Sequence, residues 1–356
     1  MQTDIPFLVT YETEPENESS VEGMVNLNVL GVSDIAKQLG LSTTTVSRAL
    51  SGKGRVSQET RRRVKEFTEK NGYVPNSMAR SLVLSKSYNF AYVMTGAHSV
   101  NASFFRLALE AVCKKANSMS YDIIVVNSDN DEEKELKRII AMRKADGIIT
   151  TRELKPNITA MIKEYRIPLI LLGYSDDEEI NQVDTDVIKS GEDLTGKLVE
   201  TGLTKIAYIG ELGRYTVNQR RLQGFLNACS KNGENIENSI FTFNDTASRD
   251  DIDQFVRSVL GVYDCIITND DIMCLRVMNT LGRLKVSIPD QIKLASFYHD
   301  SILDMSIPRI TGINHNPKDF GLKAAEILIN ILEDENFPKQ GNKLWIDYEL
   351  ILGEST

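Results

Sequence analysis

The sequence predicts a small all-α N-terminal domain followed by a larger α/β body made of two lobes with parallel sheets. The chain has 356 residues, enough for two or three domains of about 150 residues each. Its basic residues are concentrated near the N-terminus. From Tyr88 onward, short apolar runs alternate with amphipathic stretches of helical length, which is typical of βαβ units.

Composition narrows the class of protein. Hydrophobic residues make up 41% of the chain and charged residues 26%, close to the averages of soluble globular proteins. The longest apolar run, residues 167–172, is far shorter than the roughly 20 residues that cross a bilayer. No basic segment followed by an apolar core begins the chain, so we expect no membrane partner and a cytoplasmic protein.

Cysteine and histidine spacing predicts neither a disulfide framework nor a metal site. The four cysteines form no Cys-x-x-Cys pair, and the three histidines are far from metal-ligand spacing. We therefore expect the cysteines to be small core residues, and we expect no cofactor.

Charge is distributed unevenly along a chain of net charge −9. Residues 1–28 carry six acids and no base, and we expect them to form a mobile acidic leader, within which Met24 is an alternative start. Residues 29–86 carry 11 Lys or Arg against 4 Asp or Glu, whereas the remainder carries 30 against 40. This asymmetry indicates a nucleic-acid-binding module fused to an acidic body.

Residues 32–50 predict a helix-turn-helix. Ala36 permits close helix crossing, Gly40 can adopt the positive φ of a tight turn, and Ser42 can cap the second helix. The shared apolar core is expected to contain Ile35, Leu39, Val46 and Leu50.

The opposite face of the second helix suits a DNA major groove. Thr43, Thr44 and Ser47 offer hydroxyl groups, and Arg48 can donate two hydrogen bonds to a guanine edge. The alternative is a helical hairpin with a polar surface. The next helical pattern strengthens the DNA-binding interpretation, because it places basic residues outside and apolar residues inside. The basic residues are Arg61, Arg62, Arg63 and Lys65, and the apolar ones are Val64 and Phe67.

Repeated strand and helix patterns predict two similar α/β lobes, divided near residues 172–181, with a cleft between them. Helices are expected over Phe104–Ala116 and Leu322–Leu332, and the acidic run 129–135 is expected to begin another helix. The predicted strands are Tyr88–Met94, Tyr121–Asn127, Gly147–Thr150, Pro168–Gly173, Lys205–Gly210, Tyr263–Thr268 and Lys293–Phe297.

Several ordered motifs together resemble the LacI-type repressor family, from about residue 30 to the end of the chain. The motifs are Ser42-Thr-Thr-Thr-Val-Ser-Arg48, Arg55-Val-Ser-Gln-Glu-Thr-Arg61, Gly72-Tyr-Val-Pro-Asn76-Ser-Met-Ala-Arg-Ser-Leu82, Asp146-Gly-Ile-Ile149, Arg221-Leu-Gln-Gly-Phe225, Thr268-Asn-Asp270, Ile288-Pro-Asp290 and Glu349-Leu-Ile-Leu-Gly-Glu-Ser-Thr356.

The resemblance implies a sequence-specific transcriptional regulator, a repressor, whose operator affinity is controlled by a small-molecule effector such as a sugar or another metabolite. It also implies a periplasmic-binding-protein-like body and a homodimer, since no heptad helix follows the body before Thr356. The predicted domains are the leader 1–28, the helix-turn-helix domain 29–75, a hinge helix and linker 76–87, and the effector-binding and dimerisation domain 88–356.

Residues Asn76–Leu82 are similar to the family's hinge helix. Seven residues are too few to hold a helix alone in water, so we expect this segment to order on DNA. Leu82 and its dyad mate would then enter the minor groove as apolar wedges, whereas the alternative is an ordinary linker. The predicted DNA contacts are Ser42, Thr43, Thr44, Thr45, Ser47, Arg48, Asn76, Ala79 and Leu82.

The effector site that the resemblance implies lies between the lobes. Its predicted residues are Phe104, Phe105, Tyr174, Arg221, Asn269 and Tyr298. Arg221 and Asn269 could hold ligand hydroxyls or a carboxylate, whereas Phe104 and Phe105 could instead be core residues.

Two positions depart from the pattern of sugar-binding members. Tyr298 stands where those members carry a ligand-gripping aspartate, and Gly173 stands where a charged residue is common. A carboxylate accepts hydrogen bonds from two adjacent hydroxyls, but a phenol offers one hydroxyl and an apolar face. Both departures argue against a simple hexose.

Two other classes of protein remain as alternatives. A solute-binding protein of a transport system would share the two-lobed body, but it would need a signal peptide. An enzyme would need reactive groups, and the sequence contains no Gly-rich phosphate loop, nucleophile elbow or metal cluster. We therefore expect no enzyme activity.

Overall fold

The protein is described here by a computed structural model, and its chain divides into two units, residues 1–85 and 86–356. The second unit is called the body below. The finer boundaries expected within residues 1–87 stay predictions. The structure describes residues 31–51, 54–71, 73, 86–94, 102–127, 132–212, 216–231, 236–243 and 247–356.

The N-terminal unit contains the predicted helix-turn-helix. Its described helices are α1 (Val32–Leu39), α2 (Thr43–Ser51) and α3 (Gln58–Lys70). Gly40 ends α1 in the left-handed region with φ of 66°, and the Leu41 N–H then reaches back to the Ala36 carbonyl at 2.9 Å. Of the predicted core residues, Ile35 and Val46 are buried, whereas Leu39 and Leu50 are partly buried and pack against them; α3 completes the core. The buried residues of this core are Ile35, Ala36, Val46 and Val64.

The first lobe of the body is a six-stranded parallel sheet in the order β11-β5-β4-β3-β1-β2. Its strands are β1 (Asn89–Met94), β2 (Asp122–Asn127), β3 (Gly147–Thr150), β4 (Leu169–Leu172), β5 (Asn181–Asp184) and β11 (Lys343–Trp345). Its helices are α4 (Ala102–Ser118), α5 (Glu132–Ala141), α6 (Pro156–Glu164) and α12 (Pro317–Glu333). Apolar side chains from both faces of this sheet pack against those helices.

The second lobe is a six-stranded sheet in the order β12-β10-β9-β8-β6-β7, parallel except for the β10–β12 pair. Its strands are β6 (Lys205–Glu211), β7 (Glu237–Phe243), β8 (Cys265–Thr268), β9 (Lys293–Ser296), β10 (Thr311–Asn314) and β12 (Glu349–Ile351). Its helices are α7 (Val187–Glu200), α8 (Thr216–Lys231), α9 (Arg249–Val259), α10 (Asp271–Arg283) and α11 (Ser301–Asp304). The two-lobed α/β architecture is therefore confirmed.

The predicted division near residues 172–181 is wrong. Strand β5 pairs with β4 in the first lobe, with Asn181 opposite Ile170, so the chain first crosses between the lobes at residues 185–186. It crosses again at residues 315–316 and 346–348. The sequence Asn-Gln-Val-Asp of β5 lacks an apolar run, and only pairing within the sheet buries it.

The strands that the sequence missed are β5, β7, β10, β11 and β12. They are short or lie at sheet edges, as the alternating exposure of β7 illustrates. Within the described ranges, no helix is long and apolar enough to cross a membrane.

Candidate functional site

The exposed face of α2 carries the residues predicted to contact DNA bases. Thr43, Thr44, Ser47 and Arg48 are exposed, while Val46 on the opposite face is fully buried. The helix therefore presents hydroxyl groups and a guanidinium on one side.

Ser42 and Thr45 have a structural role at the start of α2. The Ser42 hydroxyl accepts a hydrogen bond from the Thr45 N–H at 3.1 Å, and the two side-chain oxygens lie 2.8 Å apart. Ser42 thus caps α2 as predicted, and the Thr45 hydroxyl is engaged in the same cap.

Basic side chains of α3 partly hold the unit together. Arg63 donates to the Leu39 carbonyl at the end of α1 at 3.2 Å, and Arg61 donates to the Gly54 carbonyl at 3.1 Å. Arg62 forms ion pairs along its own helix. The predicted hinge contacts Asn76, Ala79 and Leu82 lie outside the described residues.

Three predicted effector residues meet at the carboxyl ends of parallel strands in the second lobe. Asn269 directly follows β8, Tyr298 follows β9, and Arg221 lies on α8, which follows β6. Each is at most 4% exposed. Carboxyl ends of parallel strands form one edge of a sheet, where ligands of α/β proteins usually bind.

Several buried polar atoms at this edge have no hydrogen-bond partner in the described part of the chain. Tyr208 and His315, which the sequence analysis missed, belong to this group together with the three predicted residues; we call the five residues the Arg221 cluster. The unpartnered atoms are Arg221 Nε, Asn269 Oδ1 and Nδ2, Tyr298 Oη, Tyr208 Oη and His315 Nδ1. Buried polar groups nearly always have partners, so each of these atoms calls for an explanation.

Ring contacts tie the cluster together. The Arg221 guanidinium carbon lies 5.9 Å from the centroid of the Tyr298 ring, and that ring stacks on His315 at 6.2 Å. Tyr208 and Asn269 both border Gly210, where an added Cβ would lie 2.5 Å from the Tyr208 hydroxyl and 2.8 Å from Asn269 Cβ. Gly210 therefore leaves room for these two side chains.

Close packing between α7 and α8 fixes the position of Arg221. A Cβ added to Gly224 would lie 2.4 Å from the Ile188 carbonyl oxygen, so a glycine is required where the two helices meet. Arg221 itself donates from Nη1 to Asn218 Oδ1 at 3.2 Å.

Burial perturbs the titration of this region. It lowers the pKa of Arg221, an effect opposed by Asp270, and it lowers the pKa of His315 to about 3, with Arg221 adding to the effect. Burial first, and then the Asp270 carboxylate, raises the pKa of Asp271 to about 7. His315 is consequently neutral at physiological pH.

Phe104 reaches the cluster from the first lobe. Its ring lies 6.0 Å from the Tyr298 ring and 5.0 Å from Phe320 in the core of the first lobe. Phe105 packs edge-on against Phe104 at 5.3 Å, and its carbonyl accepts the Tyr92 hydroxyl. Phe104 is thus both a core residue and a contact across the cleft.

Tyr174 makes a different contact between the lobes. The Arg220 guanidinium carbon lies 4.2 Å from the centroid of the Tyr174 ring, and Arg220 Nη1 bonds to Asp184 Oδ2 at 2.6 Å. Gly173, just before Tyr174, has φ of 134°, which accounts for glycine at this position. Arg220 and Asp184 were missed because neither belongs to a motif.

Comparisons with known proteins agree with both units. Residues 32–76 match the family model of bacterial regulatory proteins of the lacI family, and residues 195–356 match the periplasmic binding protein-like domain. The HTH-type transcriptional regulator MalR of Staphylococcus xylosus is 28% identical over 314 residues, covering 86% of this chain and 92% of MalR. Catabolite control protein A of Staphylococcus aureus is 24% identical over 310 residues, covering 85% of this chain and 92% of that protein.

A solved structure shares the fold. The lac repressor dimer bound to operator and the anti-inducer ONPF superposes with a TM-score of 0.72 at 19% identity, covering 91% of this chain and 98% of the repressor chain. The alternative of a transport protein is wrong, because the ligand-binding-type body is joined to a lacI-type DNA-binding unit. The chain therefore combines a DNA-binding domain of the lacI family of bacterial regulatory proteins with a periplasmic binding protein-like effector-binding domain, and it is a DNA-binding transcriptional regulator.

Proposed function

We propose that this regulator binds its operator as a homodimer and that a small-molecule effector, held by the Arg221 cluster, changes its operator affinity. The observation that carries the proposal is the set of buried polar atoms without partners in that cluster. A ligand with complementary polar groups would satisfy them and remove the cost of leaving them unpaired.

Contact between the lobes offers a route from ligand to conformation. The cluster belongs to the second lobe, but Phe104 of the first lobe touches the Tyr298 ring. A ligand that contacts both lobes favours one arrangement of them by its difference in affinity for the two arrangements. That bias is the proposed regulatory signal.

DNA contact is assigned to two segments. Ser42 at the N-cap of α2, together with Thr43, Thr44, Thr45, Ser47 and Arg48 on α2, is proposed to face the major groove. Asn76, Ala79 and Leu82 are proposed to face the minor groove. The polar exposed face of α2 supports the first assignment. The proposed outcome is repression, because a protein bound across a promoter excludes the polymerase.

Selection of binding sites from random duplex DNA, followed by fluorescence anisotropy, tests the DNA-binding part. Affinity should fall with salt, by about 0.9 log units per log unit for each phosphate neutralised. Arg48→Ala should weaken operator binding by about 1 to 3 kcal/mol and relax the sequence preference at one base pair. Arg257→Ala, on an exposed position of α9, is the control. A DNA affinity that changes neither with salt nor with the Arg48 substitution would contradict the proposal.

A second copy of the chain is proposed to cover an apolar surface of the second lobe. Four large apolar side chains on α10, α11 and the segment after α11 are exposed: Ile272 (43%), Ile302 (38%), Met305 (76%) and Ile307 (93%). Patches of this kind on soluble proteins usually mark an interface.

Light scattering of charged variants tests the dimer. Ile307→Asp should shift the protein toward monomer, because burying an unpaired carboxylate in an apolar interface is unfavourable. Met142→Asp, on an exposed residue of the first lobe, should leave the dimer intact. Equal behaviour of the two variants would place the interface elsewhere.

We further propose that the cleft binds its effector without converting it, and that the regulator acts in the cytoplasm, where bacterial operator DNA lies. Support comes from the relatives, which are transcriptional regulators. Recovery of an identified effector unchanged after incubation with the protein tests the first statement, and fractionation of cells tests the second.

A further inference from the structure

Arg221 carries a buried charge that the described part of the chain leaves without an ion pair. Its side chain is 4% exposed, and Nη1 donates to the neutral amide oxygen of Asn218 while Nε has no partner. Within the described residues, no carboxylate oxygen lies at salt-bridge distance. A buried charge left in this state is costly, so among the described residues the site lacks a group of opposite charge.

The nearest carboxylates are engaged elsewhere. Asp270 caps α10 and accepts the Met273 N–H at 2.8 Å, and Asp271 accepts the Ile272 N–H at 2.9 Å. Burial raises the pKa of both carboxyls, that of Asp271 to about 7. Tyr298, which follows β9, presents a neutral phenol to Arg221, and its ring centroid lies 5.9 Å from the guanidinium carbon.

The rest of the cluster suits hydroxyl groups. His315 Nε2 lies 3.1 Å from the Phe297 carbonyl, which can only accept, so the ring proton is on Nε2 and Nδ1 is a free acceptor. Asn269 offers two N–H donors on Nδ2 and an acceptor on Oδ1, and the Tyr208 and Tyr298 hydroxyls can donate or accept. These groups can therefore bind several hydroxyls at once.

Aromatic faces complete the site. The Phe104 and Tyr298 rings meet edge to face across the cleft. The two rings offer apolar surface against which the C–H groups of a small cyclic or linear ligand can pack. A single guanidinium also matches a carboxylate, which accepts two parallel N–H bonds, better than a phosphate dianion that requires further cations.

We propose that the effector is a polyhydroxylated carboxylate, a sugar acid of the aldonic or uronic type, with its carboxylate on Arg221 and its hydroxyls on Asn269, His315 and the two tyrosines. This inference rests on the proposed function and adds the charge of the ligand to it.

Matched pairs of compounds test the inference by thermal shift at constant ionic strength. D-Glucuronate and D-galacturonate are compared with D-glucose and D-galactose, and D-gluconate with sorbitol. At least one acid should raise Tm by several degrees more than its neutral partner. Arg221→Gln should abolish that gain, and Arg257→Gln, on exposed α9, should retain it.

Stabilisation by a neutral sugar equal to that by its acid would overturn the inference. A neutral sugar that also changed operator affinity would do so while leaving the proposed function standing. Loss of any ligand effect on operator affinity, with acid binding intact, would instead overturn the proposed function alone.

A second measurement, urea unfolding of Arg221 variants without ligand, tests whether the Arg221 charge lacks a partner even if no compound in the panel binds. Because the described residues give the Arg221 charge no ion pair, Arg221→Gln and the apolar Arg221→Met should unfold at the same urea concentration as the ligand-free parent or at a higher one. If Asp270 instead balanced Arg221, both variants would strand a buried carboxylate and unfold at lower urea. That result would overturn the proposal.

Discussion

Asp271 should make the stability of the body strongly dependent on pH. It is the first residue of α10, it is 3% exposed, and Asp270 adds a second carboxylate beside it. Burial first, and then Asp270, raises the pKa of Asp271 from an ordinary value of 3.8 to about 7. In the folded protein the ionised form is therefore disfavoured relative to the unfolded chain.

The sign and the size follow from linkage between protonation and folding. The contribution of Asp271 to stability is fully present below pH 4 and is lost as pH rises through 7. Because a tenfold change in proton affinity corresponds to about 1.4 kcal/mol, ionised Asp271 costs the folded state about 4 kcal/mol above pH 7. Between pH 5 and pH 8, the cost should grow by about 2.5 kcal/mol.

The perturbation is Asp271→Asn, which removes the charge and keeps an oxygen to accept the Ile272 N–H. Urea unfolding followed by circular dichroism should find the variant more stable than the parent, with a stability difference that widens from pH 5 to pH 8. Asp250→Asn, in the first turn of α9 but exposed, is the matched control. A difference between the Asp271 variant and the parent that stays constant with pH would refute the reasoning.

Three further changes test packing, the contact between the lobes and the DNA-binding unit. Gly224→Ala should lower the free energy of unfolding by about 1 to 3 kcal/mol, because the added methyl group clashes with α7. Gly196→Ala has open space around it and should raise the free energy of unfolding by up to about 1 kcal/mol. Equal effects of the two changes would contradict the packing argument. Arg220→Gln should lower the free energy of unfolding by about 3 kcal/mol, because it leaves the buried Asp184 carboxylate without its ion-pair partner. In a double-mutant cycle, adding Asp184→Asn should recover part of that loss. Additive losses would contradict the pairing. Ser42→Ala removes the α2 cap and should lower the free energy of unfolding of the N-terminal unit by about 1 kcal/mol, measured by thermal unfolding. An unchanged stability would contradict that cap.

The residues of the Arg221 cluster could be predicted only in part. Arg221, Asn269 and Tyr298 were found from motifs that follow strands, and the fold brings all three to one sheet edge. Tyr208 was missed because its side chain lies within a strand that reads as core, and His315 because it follows a strand too short to be recognised.

The amino-acid sequence by itself determined the helix-turn-helix and the βα alternation of the body. Both follow from short-range rules: Gly40 can adopt a left-handed turn, Ser42 can cap a helix, and apolar runs such as residues 147–150 form buried strands.

Only the tertiary structure decided where the lobes divide and which polar groups meet in the cleft. Polar β5 becomes a strand only when β4 and β11 pair with it, a long-range contact that local patterning does not encode. Arg220 and Arg221 are adjacent in sequence, yet the first pairs with Asp184 across the lobes while the second is buried without a carboxylate partner in the described chain. The direction of each side chain from α8, set by its packing against α7, makes that difference.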